Sequence, residues 1–192
     1  MNSDAKETGI SVETVLVVAL IVGILAGAII GVNLPESEIS SLIETSFLTY
    51  RESAIESFLS FFISSATFVV VVFLMGFCAV FQPFEVLLVA FKGLGLGLIA
   101  RCVYAGENVL SKLLVFLLFS VISSGILIFQ ARDSVSMSMG YFSISITTEN
   151  RLGMANEFRE YIFRFFIYLL SCAVVSALGC LALRVMNAHG LF

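Results

Sequence analysis

The chain has 192 residues, of which 59% are hydrophobic and only 12% are charged, and its mean hydropathy is +1.07. Soluble globular domains carry about 25% charged residues, so this composition excludes that class and predicts an integral protein of the lipid bilayer. The net charge of −4 and the lack of basic runs exclude a nucleic-acid-binding protein.

Residue types that commonly hold metals or catalyse reactions are few and scattered. The four cysteines, at positions 78, 102, 172 and 180, lie in or beside apolar runs, and none forms a CxxC pair. His189 is the only histidine. Metal sites need clustered ligands, and catalytic triads need a nucleophile beside a base. We therefore predict no catalytic residue, no metal and no cofactor, and we interpret the cysteines as small packing residues.

The first transmembrane helix is predicted at 14–33. It contains an uncharged apolar run at 15–32, long enough to cross a bilayer and longer than the apolar core of a typical signal peptide. We therefore predict a retained helix, with a cleaved signal peptide as the alternative. Gly23, Gly27 and Gly31 recur every four residues on one helix face, which is typical of helices in close contact.

An amphipathic segment follows Pro35. From 36 to 56, apolar residues recur mainly at helical spacing. The opposite face is acidic, with glutamates at positions 36, 44, 52 and 56. This acidity disfavours binding to anionic lipid, so either a partner protein covers the segment or it is a solvated linker helix.

The second and third spans are predicted at 58–82 and 85–104. Residues 58–82 carry no charge and are long enough to cross a bilayer. Gln82 and Pro83 interrupt the apolar sequence between the two spans. Such a short connection predicts an antiparallel hairpin of two helices that move as one unit.

The third span carries charged residues and glycines that need an explanation. Lys92 lies inside the apolar run, where a cation costs roughly 2.5–3.5 kcal/mol. Its side chain either carries the ammonium toward the lipid headgroups or faces other protein. Gly93 and Gly97 follow it, and they either allow a close helix contact or let the helix unwind around a binding site, as in transporters. Glu85 and Arg101 are charges near the edges of the span.

The fourth and fifth spans are predicted at 111–131 and 164–185, with a polar connection between them. Within the connection, residues 137–146 alternate apolar and small side chains, which predicts a short strand or hairpin near the membrane interface. The chain is thus predicted to be one all-α domain over 1–192. It is a polytopic membrane bundle of about five transmembrane helices with short amphipathic interfacial segments.

Counts of lysine and arginine favour a cytoplasmic N-terminus. With five spans, this orientation puts five basic residues inside and four outside, and four of the five lie in the 132–164 connection. It also places the acidic 33–56 segment and the 105–112 connection outside the cell.

Three stretches share the pattern of one family of bacterial membrane proteins. They are LIVGILAGAIIGVNL in the first span, FLMGFCAVFQPFEVLLVAFKGLGLGL across the hairpin and RFFIYLLSCAVVSAL in the last span. The most specific element is Phe91-Lys92-Gly93 with Gly97 four residues on. On these residues the chain resembles the stage II sporulation protein M family, and the order of the spans extends the resemblance over nearly the whole chain.

The resemblance implies a scaffold rather than an enzyme. Sporulation members of that family are polytopic partners of the cell-wall hydrolases named sporulation proteins D and P, which thin septal peptidoglycan during engulfment. We therefore expect a non-catalytic scaffold in the bacterial cell membrane, at the septal or engulfing membrane. The glycine faces leave open a homo-oligomer. The alternative is a permease-type transport component in which Glu85, Lys92 and Arg101 line a path and the Gly93–Gly97 run is unwound.

Overall fold

A computed structural model describes the backbone of residues 11–35, 53–78, 80–105, 109–146 and 151–188. It describes the side chains of the same ranges except at 102, 105, 110–112, 141–146 and 151–156. Over these ranges the chain forms five helices and no strand: α1 (Val12–Val32), α2 (Ala54–Met75), α3 (Gln82–Ala105), α4 (Val109–Ile146) and α5 (Arg151–Ala188). All five contain a stretch long and apolar enough to cross a membrane. The prediction of an all-α, multi-pass membrane protein is confirmed.

Local sequence explains where α1 and α3 begin. Ser11 caps α1, and its Oγ accepts a hydrogen bond from the backbone N–H of Thr14 at 3.3 Å. Pro83 lies in the first turn of α3, where its missing N–H is not needed. Glu13 in the first turn of α1 pairs with Arg132 of α4 at 2.8 Å, which places the start of α1 beside the middle of α4.

α2 and α3 run antiparallel, as predicted: Lys92 contacts Ser64, whereas Glu85 and Val72 share the Ser134 hydroxyl. They are not each other's main partners, however. α3 packs chiefly against α1, and it shares a smaller contact with α2, the helix that precedes it. α2 packs mainly on α4 and α5. One hydrophobic cluster surrounds Phe61 and Phe119, and a second joins Leu16, Val89 and Leu127. The bundle therefore combines an α1–α3 pair with an α2–α4–α5 group.

α4 and α5 are much longer than the predicted spans. Each has 38 residues, which corresponds to about 57 Å of helix, whereas the hydrocarbon core of a bilayer is about 30 Å thick. The Nε2 of Gln82 donates to the Oγ of Ser138 at 3.3 Å, so α3 begins beside Ser138. α4 continues from there for about two turns to Ile146. The predicted strand or hairpin at 137–146 is wrong, because this segment remains α-helical beside α5.

The second span ends earlier than predicted. α2 stops at Met75, and the described residues that follow it, 76–78, are no longer α-helical. Of the predicted amphipathic segment at 36–56, positions 36–52 lie outside the described residues, and Ala54 to Glu56 form the start of α2.

Candidate functional site

α1 touches the backbone of α3 at two of its glycines. A Cβ atom added at Gly23 would overlap the carbonyl oxygen of Ala90. One added at Gly27 would overlap the carbonyl oxygen of Leu94. Because the contact advances along both helices in the same direction, α1 and α3 run parallel.

The glycines of α3 make the reciprocal contacts. A Cβ atom at Gly93 would overlap the carbonyl oxygen of Leu20, and one at Gly97 would overlap that of Ile24. We name this contact the α1–α3 seam and define it by Gly23, Gly27, Gly93 and Gly97. Any side chain at these four positions would require the two backbones to separate, so the seam depends on glycine for steric reasons. α3 is helical throughout the seam, with no unwound segment.

Gly31 and Gly95 differ from the four seam glycines. A Cβ atom at Gly31 would lie 3.1 Å from the Cβ of Arg101 and 3.2 Å from its Cγ, so Gly31 makes room for the stem of that arginine. The buried Nε of Arg101 has no hydrogen-bond partner among the described residues. A Cβ atom at Gly95 would meet nothing within 4 Å. Gly95 therefore lies off the seam and serves as a control position.

Lys92 is buried in the middle of the bundle. Its side chain is only 5% exposed, and its Nζ donates to the carbonyl oxygen of Ser64 at 2.9 Å. The same nitrogen lies 4.7 Å from the ring centroid of Phe68, a cation–π distance. Ser64 lies near the middle of α2, so the ammonium faces protein at mid-span and does not reach the headgroups.

Replacing Lys92 with methionine is expected to leave the folded protein as stable as the wild type, or to stabilise it by up to about 3 kcal/mol. Methionine has a similar length and loses one hydrogen bond to Ser64, while the substitution removes an embedded cation that has no carboxylate partner among the described ion pairs. Unfolding in mixed detergent micelles, followed by circular dichroism, measures the difference. A loss of more than about 2 kcal/mol would show that the Ser64 and Phe68 contacts outweigh the embedded charge.

Glu85 lies in the first turn of α3 and is fully buried. Its Oε1 is 2.7 Å from the Oγ of Ser134 on α4, and that same Oγ is 2.8 Å from the carbonyl oxygen of Val72 on α2. The Oε2 of Glu85 has no hydrogen-bond partner in the described part of the chain. A carboxyl group therefore lies at the junction of three helices with half of its polar surface unpaired.

Tyr161 of α5 completes this junction. Its hydroxyl donates to the carbonyl oxygen of Phe73 at 2.9 Å. A Cβ atom at Gly76 would overlap the Tyr161 hydroxyl and would lie 2.7 Å from the Oγ of Ser134, so glycine lets the end of α2 approach both groups. Gln130 is also fully buried, and its side-chain amide has no hydrogen-bond partner among the described residues. We name Glu85, Gln130, Ser134 and Tyr161 the buried polar cluster.

Sequence reasoning did not find three of the four cluster residues. Gln130, Ser134 and Ser138 are all fully buried and recur every four residues on one face of α4. This spacing is a helical signal. The predicted connection from 132 onward hides this spacing, because it assigns Gln130 to a span and the two serines to a loop.

The three charged residues predicted on α3 are not brought together. Glu85 contacts Ser134, Lys92 contacts Ser64, and the Arg101 stem lies over Gly31. Each is held by a different neighbour at a different level of the bundle.

A charged cleft of about 160 Å³ lies between α4 and α5, beside the buried polar cluster. Asp133, Glu157, Glu160 and Arg164 supply its charged groups, and Tyr161 forms part of its wall. The guanidinium of Arg164 pairs with Asp133 at 3.3 Å and with Glu160 at 3.0 Å. The pair with Glu160 is exposed, and exposed pairs of this kind contribute about 0–1 kcal/mol.

No protein-family model matches this chain, and no curated protein or solved structure matches it either. The resemblance to the stage II sporulation protein M family stays a prediction.

Proposed function

We propose that this chain is a non-catalytic membrane scaffold that assembles or localises extracytoplasmic peptidoglycan hydrolases, of the sporulation protein D and P type, during engulfment in sporulation. Two arguments support the proposal: the resemblance of the spans to the stage II sporulation protein M family, and the α1–α3 seam. Gly93 and Gly97, which a transporter would use to unwind α3, are in backbone contact with α1. A helix pair packed at that distance suits a rigid frame better than a moving gate.

The proposed binding surface lies on the side of the membrane where wall hydrolases act. In a bacterial cell membrane, at the septal or engulfing membrane, a cytoplasmic N-terminus would leave the 33–56 and 105–112 connections outside. The 33–56 connection carries five glutamates, at 36, 38, 44, 52 and 56. Acidic side chains on such a segment favour a protein partner with a basic surface over anionic lipid.

Co-purification tests the scaffold role. The full chain is co-expressed with affinity-tagged hydrolases of the D and P type in a bacterium that does not sporulate, and the membranes are solubilised in mild detergent. We expect the chain to be retained through the hydrolase tag. We also expect retention to be lost when the glutamates at 36, 38, 44 and 52 are all changed to glutamine, because Glu56 and Arg51 then leave the connection without net charge.

A matched control changes acidic residues at the other end of the bundle. The double variant Glu157→Gln, Glu160→Gln removes two charges from the α4–α5 cleft and is expected to leave retention unchanged. Failure of both hydrolases to retain the folded wild-type chain would contradict the proposal.

A transport component is the second candidate, and the mid-span position of the Lys92 ammonium favours it. Such a path would have to run past an α3 that is helical throughout. Proton and monovalent-cation flux into vesicles that contain the purified chain separates the two candidates. The scaffold role predicts flux no greater than in protein-free vesicles. Flux that is lost in a folded Lys92→Met variant would support the transport role instead.

A further inference from the structure

The hydrogen bonds around Glu85 do not fit an ionised carboxylate. The Ser134 hydroxyl has one hydrogen to donate, yet its oxygen lies 2.8 Å from the Val72 carbonyl and 2.7 Å from Glu85 Oε1. The Val72 carbonyl, which also accepts from the Gly76 N–H at 3.2 Å, can only accept, so its 2.8 Å contact with the Ser134 oxygen uses the Ser134 hydrogen. The short contact with Glu85 then needs a second hydrogen, and a protonated Glu85 supplies it.

The neighbouring hydroxyl does not supply that hydrogen. Tyr161 has one hydroxyl hydrogen, and it is donated to the carbonyl oxygen of Phe73 at 2.9 Å. Glu85 Oε2 has no partner in the described part of the chain. An ionised Glu85 would therefore be a buried anion with at most one hydrogen bond, an arrangement that desolvation strongly disfavours.

The helix ends around Glu85 act in opposite directions. Val72 and Phe73 lie in the last turn of α2, where the helix dipole places negative charge, and this disfavours a second negative charge on Glu85. The start of α3 favours an anion, but its field weakens within the first turn, and the N–H of Glu85 is already bonded to the carbonyl oxygen of Phe81. The two dipoles do not compensate for the missing hydrogen bonds.

The charged groups nearby are largely occupied by each other. Arg132 pairs with Glu13, and Arg164 pairs with Asp133 and Glu160. Tyr168 donates to Asp133 at 2.9 Å. Lys92, two turns along α3, donates to Ser64. The remaining described titratable groups at this end of the bundle are Cys78, Glu157, Arg159 and Tyr161. Within the described part of the chain, no lysine or arginine forms an ion pair with Glu85.

We infer that Glu85 is a buried proton-binding site, a neutral carboxylic acid that donates to Ser134 and exchanges its proton with solvent through the charged cleft. Tyr161 forms part of the cleft wall, and its hydroxyl lies against Gly76 at the Glu85 junction, so this side chain connects the cleft to the junction. The side chains beyond it, Asp133, Glu157 and Glu160, can accept and pass on a proton. This inference does not rest on the scaffold role.

Infrared spectroscopy of the full chain in phosphatidylcholine vesicles at neutral pH tests the inference. We expect a protonated-carboxyl C=O band that is lost in Glu85→Gln and kept in the control Glu13→Gln, whose half-exposed carboxylate pairs with Arg132 outside the buried polar cluster and the cleft. We expect Ser134→Ala to shift the band, because the acceptor of the carboxyl hydrogen is removed. Transfer to D₂O should shift the band several-fold faster in Tyr161→Ala than in the wild type.

Three results would overturn the inference. The first is an infrared spectrum of a folded Glu85→Gln variant that matches the wild-type spectrum in the protonated-carboxyl C=O region, since Glu85 would then be ionised in the wild type. The second is a band that appears only when sodium is replaced by choline, which would make this a cation site. The third is equal exchange in Tyr161→Ala and wild type, which would exclude the cleft as the route. If Glu85→Gln does not fold, the Ser134→Ala spectrum decides: a shifted band supports the inference, and an unshifted spectrum contradicts it.

Discussion

Changing Gly97 to alanine is expected to destabilise the folded protein by about 1–3 kcal/mol, the usual cost of overpacking, with a larger loss for leucine. The added Cβ would overlap the carbonyl oxygen of Ile24 and would lie 2.7 Å from the backbone nitrogen of Ala28. Backbone atoms in a helix cannot rotate away as a side chain can, so α1 and α3 must move apart. Unfolding in mixed detergent micelles, followed by circular dichroism, measures the change.

Gly95→Ala is the matched control on the same helix. Gly95 is two residues away and has nothing within 4 Å of an added Cβ, so the substitution adds no contact. It should be neutral or should stabilise α3 by up to about 1 kcal/mol, because alanine is the better helix former. Equal effects at positions 95 and 97 would mean that the seam does not exist in the folded protein.

The second large effect is expected for Phe61→Ala, which should destabilise the protein by about 3–5 kcal/mol. Phe61 is fully buried, and its ring meets that of Phe119 edge-on with centroids 4.7 Å apart. A Cβ atom at Gly179 would lie 3.1 Å from the Phe61 ring, so the ring also lies against α5. Its removal leaves a cavity where α2, α4 and α5 meet.

The control for this variant is Phe163→Ala on the surface of α5. Phe163 is 64% exposed at the surface of the bundle, so its loss creates no internal cavity. We expect Phe163→Ala to lower the free energy of unfolding by less than about 1 kcal/mol, which is typical of surface substitutions. Thermal unfolding of both variants in the same detergent provides the comparison. A Phe61→Ala variant as stable as Phe163→Ala would contradict the described packing of α2 on α4 and α5.

The five helices were predictable because each contains an apolar run long enough for a bilayer, and the need to satisfy backbone hydrogen bonds in lipid makes such a run helical. The spacing of Gly23 and Gly27 predicted a close contact. It did not predict α3 as the partner. A pair of small residues indicates that another helix packs closely, but it does not indicate which helix.

The failure at 137–146 has a physical cause. Ser136 and Ser138 alternate with methionines, and this imitates the two-residue period of a strand. An isolated hairpin is only marginally stable by itself, whereas a helix here continues α4 and packs against a second long helix. Ser138 is fully buried one turn after Ser134, which shows the helical period of this segment.

The hydrogen-bond partners of the buried polar side chains are hard to predict from the sequence. Lys92 donates to the carbonyl of Ser64, and Tyr161 donates to the carbonyl of Phe73. Any residue can supply a backbone carbonyl, so no motif marks these contacts. Only Ser134, the side-chain partner of Glu85, could have been suggested by its four-residue spacing from Gln130.

Solid-state NMR of the wild-type chain in lipid bilayers tests the α1–α3 seam most directly. A Cβ atom at Gly93 would lie 3.2 Å from the Cα of Gly23, so the Cα atoms of these two glycines are near neighbours. With glycine labelled at Cα, we predict a through-space cross-peak between Gly23 and Gly93, and another between Gly27 and Gly97. Assigned resonances for all four glycines with neither cross-peak would show that the two helices do not meet at these positions.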